Sequence, residues 1–192
     1  MENLKKKLES IGIDNNSIIV AYDEGELAGA ARFWWTLKYL GHDEVYVLDG
    51  GINAWISNGG NLTKTIPEER RGAFNINIKK NMAVEMCYVK DNIDSEGFVL
   101  IDSRAPERYK GEIEPIDKKA GHIPGAKNIF WKESFNEDST LKSEEFLKKK
   151  YLEVSKYENI VLQCGSGIDA CGNFLAMSEI GIKPKLYVGS FS

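Results

Sequence analysis

The chain has 192 residues, 42% of them apolar and 28% charged, with a formal net charge of −4. That length suits one large domain or two small ones, and the mildly acidic balance argues against nucleic acid or an anionic membrane as partner. No apolar run approaches the roughly 20 residues that span a bilayer, the first residues lack the apolar centre of a signal peptide, and the 3 cysteines are too few for a disulfide framework in a chain this long.

In chain order, residues 1–11 carry Leu4, Leu8 and Ile11 at helical spacing. Residues 17–23 (SIIVAYD) are a β-branched strand run, and residues 29–41 (GAARFWWTLKYLG) a helix closed by glycine. DEVYVLDGG reads as a second buried strand and INAWISNGG as a short helix. Residues 61–72 are polar, contain Pro67 and read as a linker. Beyond them, FVLIDSR is a strand, SEEFLKKKYLEV an amphipathic helix, NIVLQC a strand, ACGNFLAMSEIG a helix and KLYVG a strand. Strands alternating with helices predict an α/β fold with a mainly parallel sheet.

The chain also repeats itself. Ala30, Trp34, Leu37, Leu40 and Gly41 fall on Ala170, Phe174, Met177, Ile180 and Gly181, each pair 140 residues apart (170 − 30). One extra residue in the first loop sets Asp23 opposite Cys164. Shared helix length and glycine stop favour a true duplication over a chance likeness of two strand–helix–strand units. The expected organisation is a first unit at 1–66, a linker at 67–81 and a second unit at 82–192. By the repeat spacing, the first unit lacks about 60 leading residues and the second lacks its end, so both ends are expected to be clipped.

Cys164 lies between a strand run and a helix run and is followed by GSGIDA. Thiolate is the nucleophilic form, and a helix N-terminus lowers its pKa. Glycines let the loop curl so that backbone N–H groups converge on the sulfur and stabilise an anion without a metal. Such a site suits a cysteine that carries negative charge or a transferred group, although local residues alone leave open a structural cysteine before a Gly-rich turn. A C-x5-R phosphate-transfer loop is disfavoured, because Ala170 stands where the arginine would be. Zinc is not expected: there is no CxxC, and His42 and His122 lie in different segments.

CGSGIDAC resembles the active-site loop of the rhodanese superfamily, whose tandem-domain sulfurtransferases carry CGSGVTAC or CRKGVTAC there. LIDSRAPERYKGEIEPIDKKAGHIPGAKNI resembles that family's D-x-R-x-x-x-R-[FY]-x-G followed by G-H-I-P-G-A, and RFWWTLKYLGHDEVYVLDGGINAW resembles the non-catalytic N-terminal domain. The resemblance covers nearly the whole chain with the motifs in order. It implies a rhodanese-like parallel sheet flanked by helices, with a partial N-terminal domain and a nearly complete catalytic C-terminal domain. It also implies a sulfurtransferase that moves a sulfane sulfur from thiosulfate or 3-mercaptopyruvate to cyanide or a thiol, through a persulfide on Cys164 and with no cofactor. Gly165, Ser166, Gly167, Ile168 and Asp169 match the persulfide cradle, and Arg108 matches the arginine that binds a small anionic donor. Asp102, Arg104 and His122 match positions that hold the fold together. Asp23 in place of a cysteine agrees with a silent first domain.

Three departures stand out. Ile168-Asp169 replaces the usual Val-Thr and brings a carboxyl beside the cradle. The further arginine of mercaptopyruvate-using relatives is absent from EIEPIDKKA, which offers only Lys118 and Lys119. The histidine and aspartate that those relatives place near the loop serine would fall before Met1. Elsewhere, Cys171 and Cys87 are expected to be packed, Trp34-Trp35 to be core, and LKKKY to be a solvated helix face. The alternative to an enzyme is a non-catalytic or sulfur-carrying binding module. The compartment expected is the cytoplasm, with self-association through the incomplete first domain.

Overall fold

The computed structural model describes residues 1–66, 68 and 70–192. Pro67 and Glu69, and with them the linker reading at those two positions, lie outside the described residues. Helix α1 (Glu2–Ser10) leads into β1 (Ile19–Ala21), α2 (Ala28–Tyr39), β2 (Val45–Val47) and α3 (Gly51–Ser57). The second half runs β3 (Ala83–Val84), α4 (Met86–Asn92), β4 (Phe98–Asp102), α5 (Pro106–Lys110), β5 (Lys127–Asn128), α6 (Glu144–Tyr151), β6 (Asn159–Gln163), α7 (Ala170–Glu179) and β7 (Lys185–Tyr187).

β1 and β2 form a two-stranded parallel sheet, and the later strands form a five-stranded one in the order β3-β7-β6-β4-β5. Every ladder in the larger sheet is parallel. A parallel strand covered on both faces must be apolar at successive positions, which is why the uninterrupted runs FVLID and NIVLQ occupy the centre, paired from Phe98 against Asn159 to Asp102 against Gln163. Val89 of α4 covers one face together with Phe98, Leu100, Val161 and Tyr187. The other face is covered by α7, which is buried at every position from Ala170 to Met177.

The two halves share one core. α2 packs on α7, and Trp34 and Trp35 both meet Phe174 edge-on at centroid distances of 6.1 and 6.3 Å. Such aromatic contacts add to the burial of large apolar surfaces. Trp34-Trp35 is therefore core. Residues 72–79 also pack back on the first half: the N–H groups of Gly72, Asn77 and Lys79 donate to the carbonyls of Glu9, Leu40 and Tyr39, and Phe74 is buried beside His42.

The expectation that Cys87 is packed is overturned. Met86 and Cys87 open helix α4, whose inward position is taken by Val89, and Cys87 is exposed. No helix among the described residues is long and apolar enough to cross a membrane, and no group of three or more His, Cys, Asp or Glu among them could hold a metal ion.

Candidate active site

Cys164 directly follows β6, and residues 165–169 carry the chain into α7. The centre strand thus delivers the thiol to a helix N-terminus, where free amides gather. Cys164 is 1% exposed, and its Sγ accepts the Gly167 N–H at 3.0 Å. Gly167 has φ +77°, a left-handed conformation that suits glycine, and a Cβ there would press on Arg32 Nη1 and the Val188 carbonyl, both at 3.3 Å. Gly165 and Asp169 are half-buried, whereas Ser166 and Ile168 are exposed.

Burial pushes the Cys164 thiol up. The amides of Ala170, Ser166 and Gly167 pull it down, and the Asp169 carboxylate pushes it up again. The helix-start amides act downward as expected, but the balance is upward: at 1% exposure, the cost of desolvating a thiolate exceeds what the amides return. Asp169 is itself raised by burial, against the pull of Arg108 and Lys132. Residues 190–192 strap the loop. Cys164 N–H donates to Ser190 Oγ at 3.2 Å, Phe191 N–H to the Cys164 carbonyl at 3.1 Å, and Ser192 N–H to the Gly165 carbonyl at 3.0 Å.

Beside the cradle lies a buried ion-pair network. Arg104 grips Asp102 with Nη2–Oδ2 at 2.7 Å, gives a second bond to the Gly121 carbonyl and stacks over the Phe191 ring at 4.2 Å. Both Arg104 and Asp102 side chains are fully buried. Breaking such a pair by removing one partner leaves an uncompensated buried charge, which fits a supporting role. Arg108 reaches the cradle, its two Nη atoms lying 3.7 and 3.9 Å from where a Cβ on Gly165 would stand. It is not bare: Nη2 donates to Glu114 Oε1 at 2.8 Å and to Asp117 Oδ2 at 3.0 Å. His122 is exposed, stacks on Tyr109 at 3.7 Å and meets the Tyr109 carbonyl through Nδ1 at 2.7 Å.

Sequence reasoning passed over Glu114, Asp117 and Arg32. Arg32 on α2 donates through Nη1 to the Gly167 carbonyl at 3.1 Å, so the first half reaches the loop directly. Cys171 donates its S–H to the same carbonyl at 3.3 Å and is buried, its thiol pushed up to about 12 by that burial. In the first half, Asp23 occupies the matching place. Its carboxylate accepts the N–H groups of Gly25, Leu27 and Ala30 at 3.0, 2.9 and 3.2 Å. The same strand-to-helix nest is thus filled by a fixed carboxylate where the second half holds a thiol. A cavity of about 750 Å³ beside Trp34, Val47, Phe135 and Phe174 does not include Cys164.

A family model described as "Rhodanese-like domain" matches residues 1–58 and 86–192. A Pseudomonas aeruginosa protein named "Probable 3-mercaptopyruvate sulfurtransferase" is 38% identical over 194 residues, covering 98% of this chain and 68% of that protein. The "Thiosulfate/3-mercaptopyruvate sulfurtransferase 2" of Arabidopsis thaliana is 31% identical over 210 residues, covering 95% of this chain and 61% of that one. The crystal structure of SseA from Escherichia coli, described as a 3-mercaptopyruvate sulfotransferase with the "Rhodanese" fold, matches at TM-score 0.87 and 28% identity over 99% of this chain and 72% of that chain.

Proposed function

The chain belongs to the rhodanese-like family, and we propose that it is a sulfurtransferase carrying a sulfane sulfur on Cys164 between thiosulfate or 3-mercaptopyruvate and cyanide or a thiol. The observation that carries this reading is the buried Cys164 sulfur at the end of β6, held by the Gly167 N–H at 3.0 Å. With thiosulfate, the Cys164 thiolate attacks the outer sulfur, the S–S bond of the donor breaks, and sulfite leaves with the electron pair. Cys164 then carries S–S⁻. Cyanide attacks the terminal sulfur, thiocyanate departs and the thiolate is restored. The amides of Ser166, Gly167 and Ala170 supply fixed dipoles for the charge at each stage. Arg108 is the group placed to meet a donor's anionic end, and a guanidinium suits sulfonate and carboxylate alike.

Gly165, Ser166, Gly167, Ile168 and Asp169 form the cradle on this reading, and Asp102, Arg104 and His122 hold the surrounding fold together. The parallel between Asp23 and Cys164 supports a tandem duplication with a silent first domain at 1–66 and a catalytic one at 82–192. Three free cysteines suit a reducing compartment such as the cytoplasm. Exposed Val20 and Tyr46 on the β1–β2 sheet, with exposed Ile18 and Tyr22 flanking β1, support self-association through that face.

The test is donor-dependent persulfide formation, read as a gain of one sulfur mass on the Cys164 peptide, together with thiocyanate release. Wild type should score in both with at least one donor, Cys164→Ser in neither, and Cys87→Ser and Cys171→Ser should keep most of the turnover. Thiocyanate production by Cys164→Ser would remove Cys164 from the chemistry.

A further inference from the structure

We infer that Asp117 is a specificity-determining residue, an internal anion seated on Arg108 that a donor's charged end must displace. This rests on the sulfur-transfer reading above. Arg108 Nη2, beside Gly165, is already bonded to Asp117 Oδ2 at 3.0 Å and Glu114 Oε1 at 2.8 Å. The carboxylate side chains are 6% and 5% exposed, and Arg108 is 16% exposed. The network holds two cations, Arg104 and Arg108, against three acids, Asp102, Glu114 and Asp117. An arriving dianion such as thiosulfate therefore meets a cluster of net charge −1, at short range and with little solvent screening.

The two acids are held differently. Glu114 is fixed from several sides, accepting the backbone N–H groups of Ile116 and Asp117 at 3.1 and 3.0 Å on the same oxygen that meets Arg108, with Arg104 on the other oxygen. Asp117 has Arg108, a looser approach to Arg104 Nη1 at 3.7 Å, and the Ser192 hydroxyl. It stands in a stretch, 111–121, with no helix or strand to fix it. Asp117 is thus the acid that can yield to an incoming anion, and its charge sets what that exchange costs the donor.

The experiment compares wild type with Asp117→Asn, which keeps the shape and removes the charge. The KM for thiosulfate should fall about tenfold or more, with kcat changing less than threefold. In parallel, thiosulfate is titrated calorimetrically into Cys164→Ser and into Cys164→Ser/Asp117→Asn. The double variant should bind at least tenfold more tightly. An unchanged or weakened thiosulfate affinity in natively melting Asp117→Asn and Asp117→Ser proteins would overturn the inference, showing that Asp117 orients Arg108 instead of competing for it. The calorimetry decides this even if no turnover is found, whereas absence of persulfide on wild type with either donor counts against the sulfur-transfer reading alone.

Discussion

Asp169 brings a carboxyl into the loop that must hold a negative sulfur, and its charge acts on Cys164 in the same direction as burial does. Two like charges at short range in a poorly solvated site cannot both ionise freely. Replacing Asp169 by Thr removes the upward push while leaving the amides of Ser166, Gly167 and Ala170 in place. The Cys164 pKa should then fall, and thiosulfate turnover should rise. Iodoacetamide alkylation rates of the Cys164 peptide, followed against pH, measure the first effect directly. An unmoved midpoint would mean that Arg108 and Lys132 already cancel the Asp169 charge at the thiol. The place of the thiol and its glycine-rich loop, between a strand and a helix, is legible in local residue types, whereas Arg104 and Arg108 enter only through the resemblance of the D-x-R-x-x-x-R run. The sign of the Cys164 shift is not readable, since it depends on how completely the sheet and residues 190–192 exclude water.

At the scale of elements, strands β4 and β6 and helices α2, α6 and α7 were legible because their apolar patterns run over five or more positions. β3 and β5 have two residues each and are defined by backbone pairing with β7 and β4, which leaves no pattern to read. α4 left no helical apolar stripe to read, because only Val89 of that helix is buried. Arg32 lies 135 residues from the carbonyl that it meets, so no local signal could announce it. The stretch 111–121 is the sharpest case: in the sequence it shows two lysines and no second arginine, but in the fold its acids claim Arg104 and Arg108. Burial raises the Glu114 carboxyl, and the Asp117 N–H, the Arg108 hydrogen bond, the Ile116 N–H and the Arg108 charge outweigh it, leaving a pKa of about 2 against the ordinary 4.5. A depressed carboxylate contributes stability that is fully present above about 4.5 and is lost as pH falls through about 2. Glu114→Gln should therefore flatten the stability profile between those limits, which denaturant midpoints taken across that range would reveal. A variant profile as steep as wild type would assign the acid sensitivity to other carboxylates.

The whole molecule is tied together at α2 and α7. Trp34 is 7% exposed and Phe174 5%, and both belong to a cluster that runs from Leu8, Leu37 and Phe74 in the first half to Leu162, Leu175 and Met177 in the second. Separate cores would let each half unfold on its own. A shared core makes unfolding of either half expose apolar surface of the other, which favours one cooperative transition. Trp34→Ala removes a large buried side chain facing α7, and such truncations cost about 3–5 kcal/mol. That is a large share of the roughly 5–15 kcal/mol that holds a domain together. The whole chain should then melt earlier in one step, as seen both by calorimetry and by protection of buried Cys164 from alkylation. The Arg32 contact to the Gly167 carbonyl gives the second readout its meaning, because loss of α2 also releases the loop. If Trp34→Ala instead splits the melt into two steps, with Cys164 protected through the first, the halves are independent and the contact across them is dispensable to the thiol's environment.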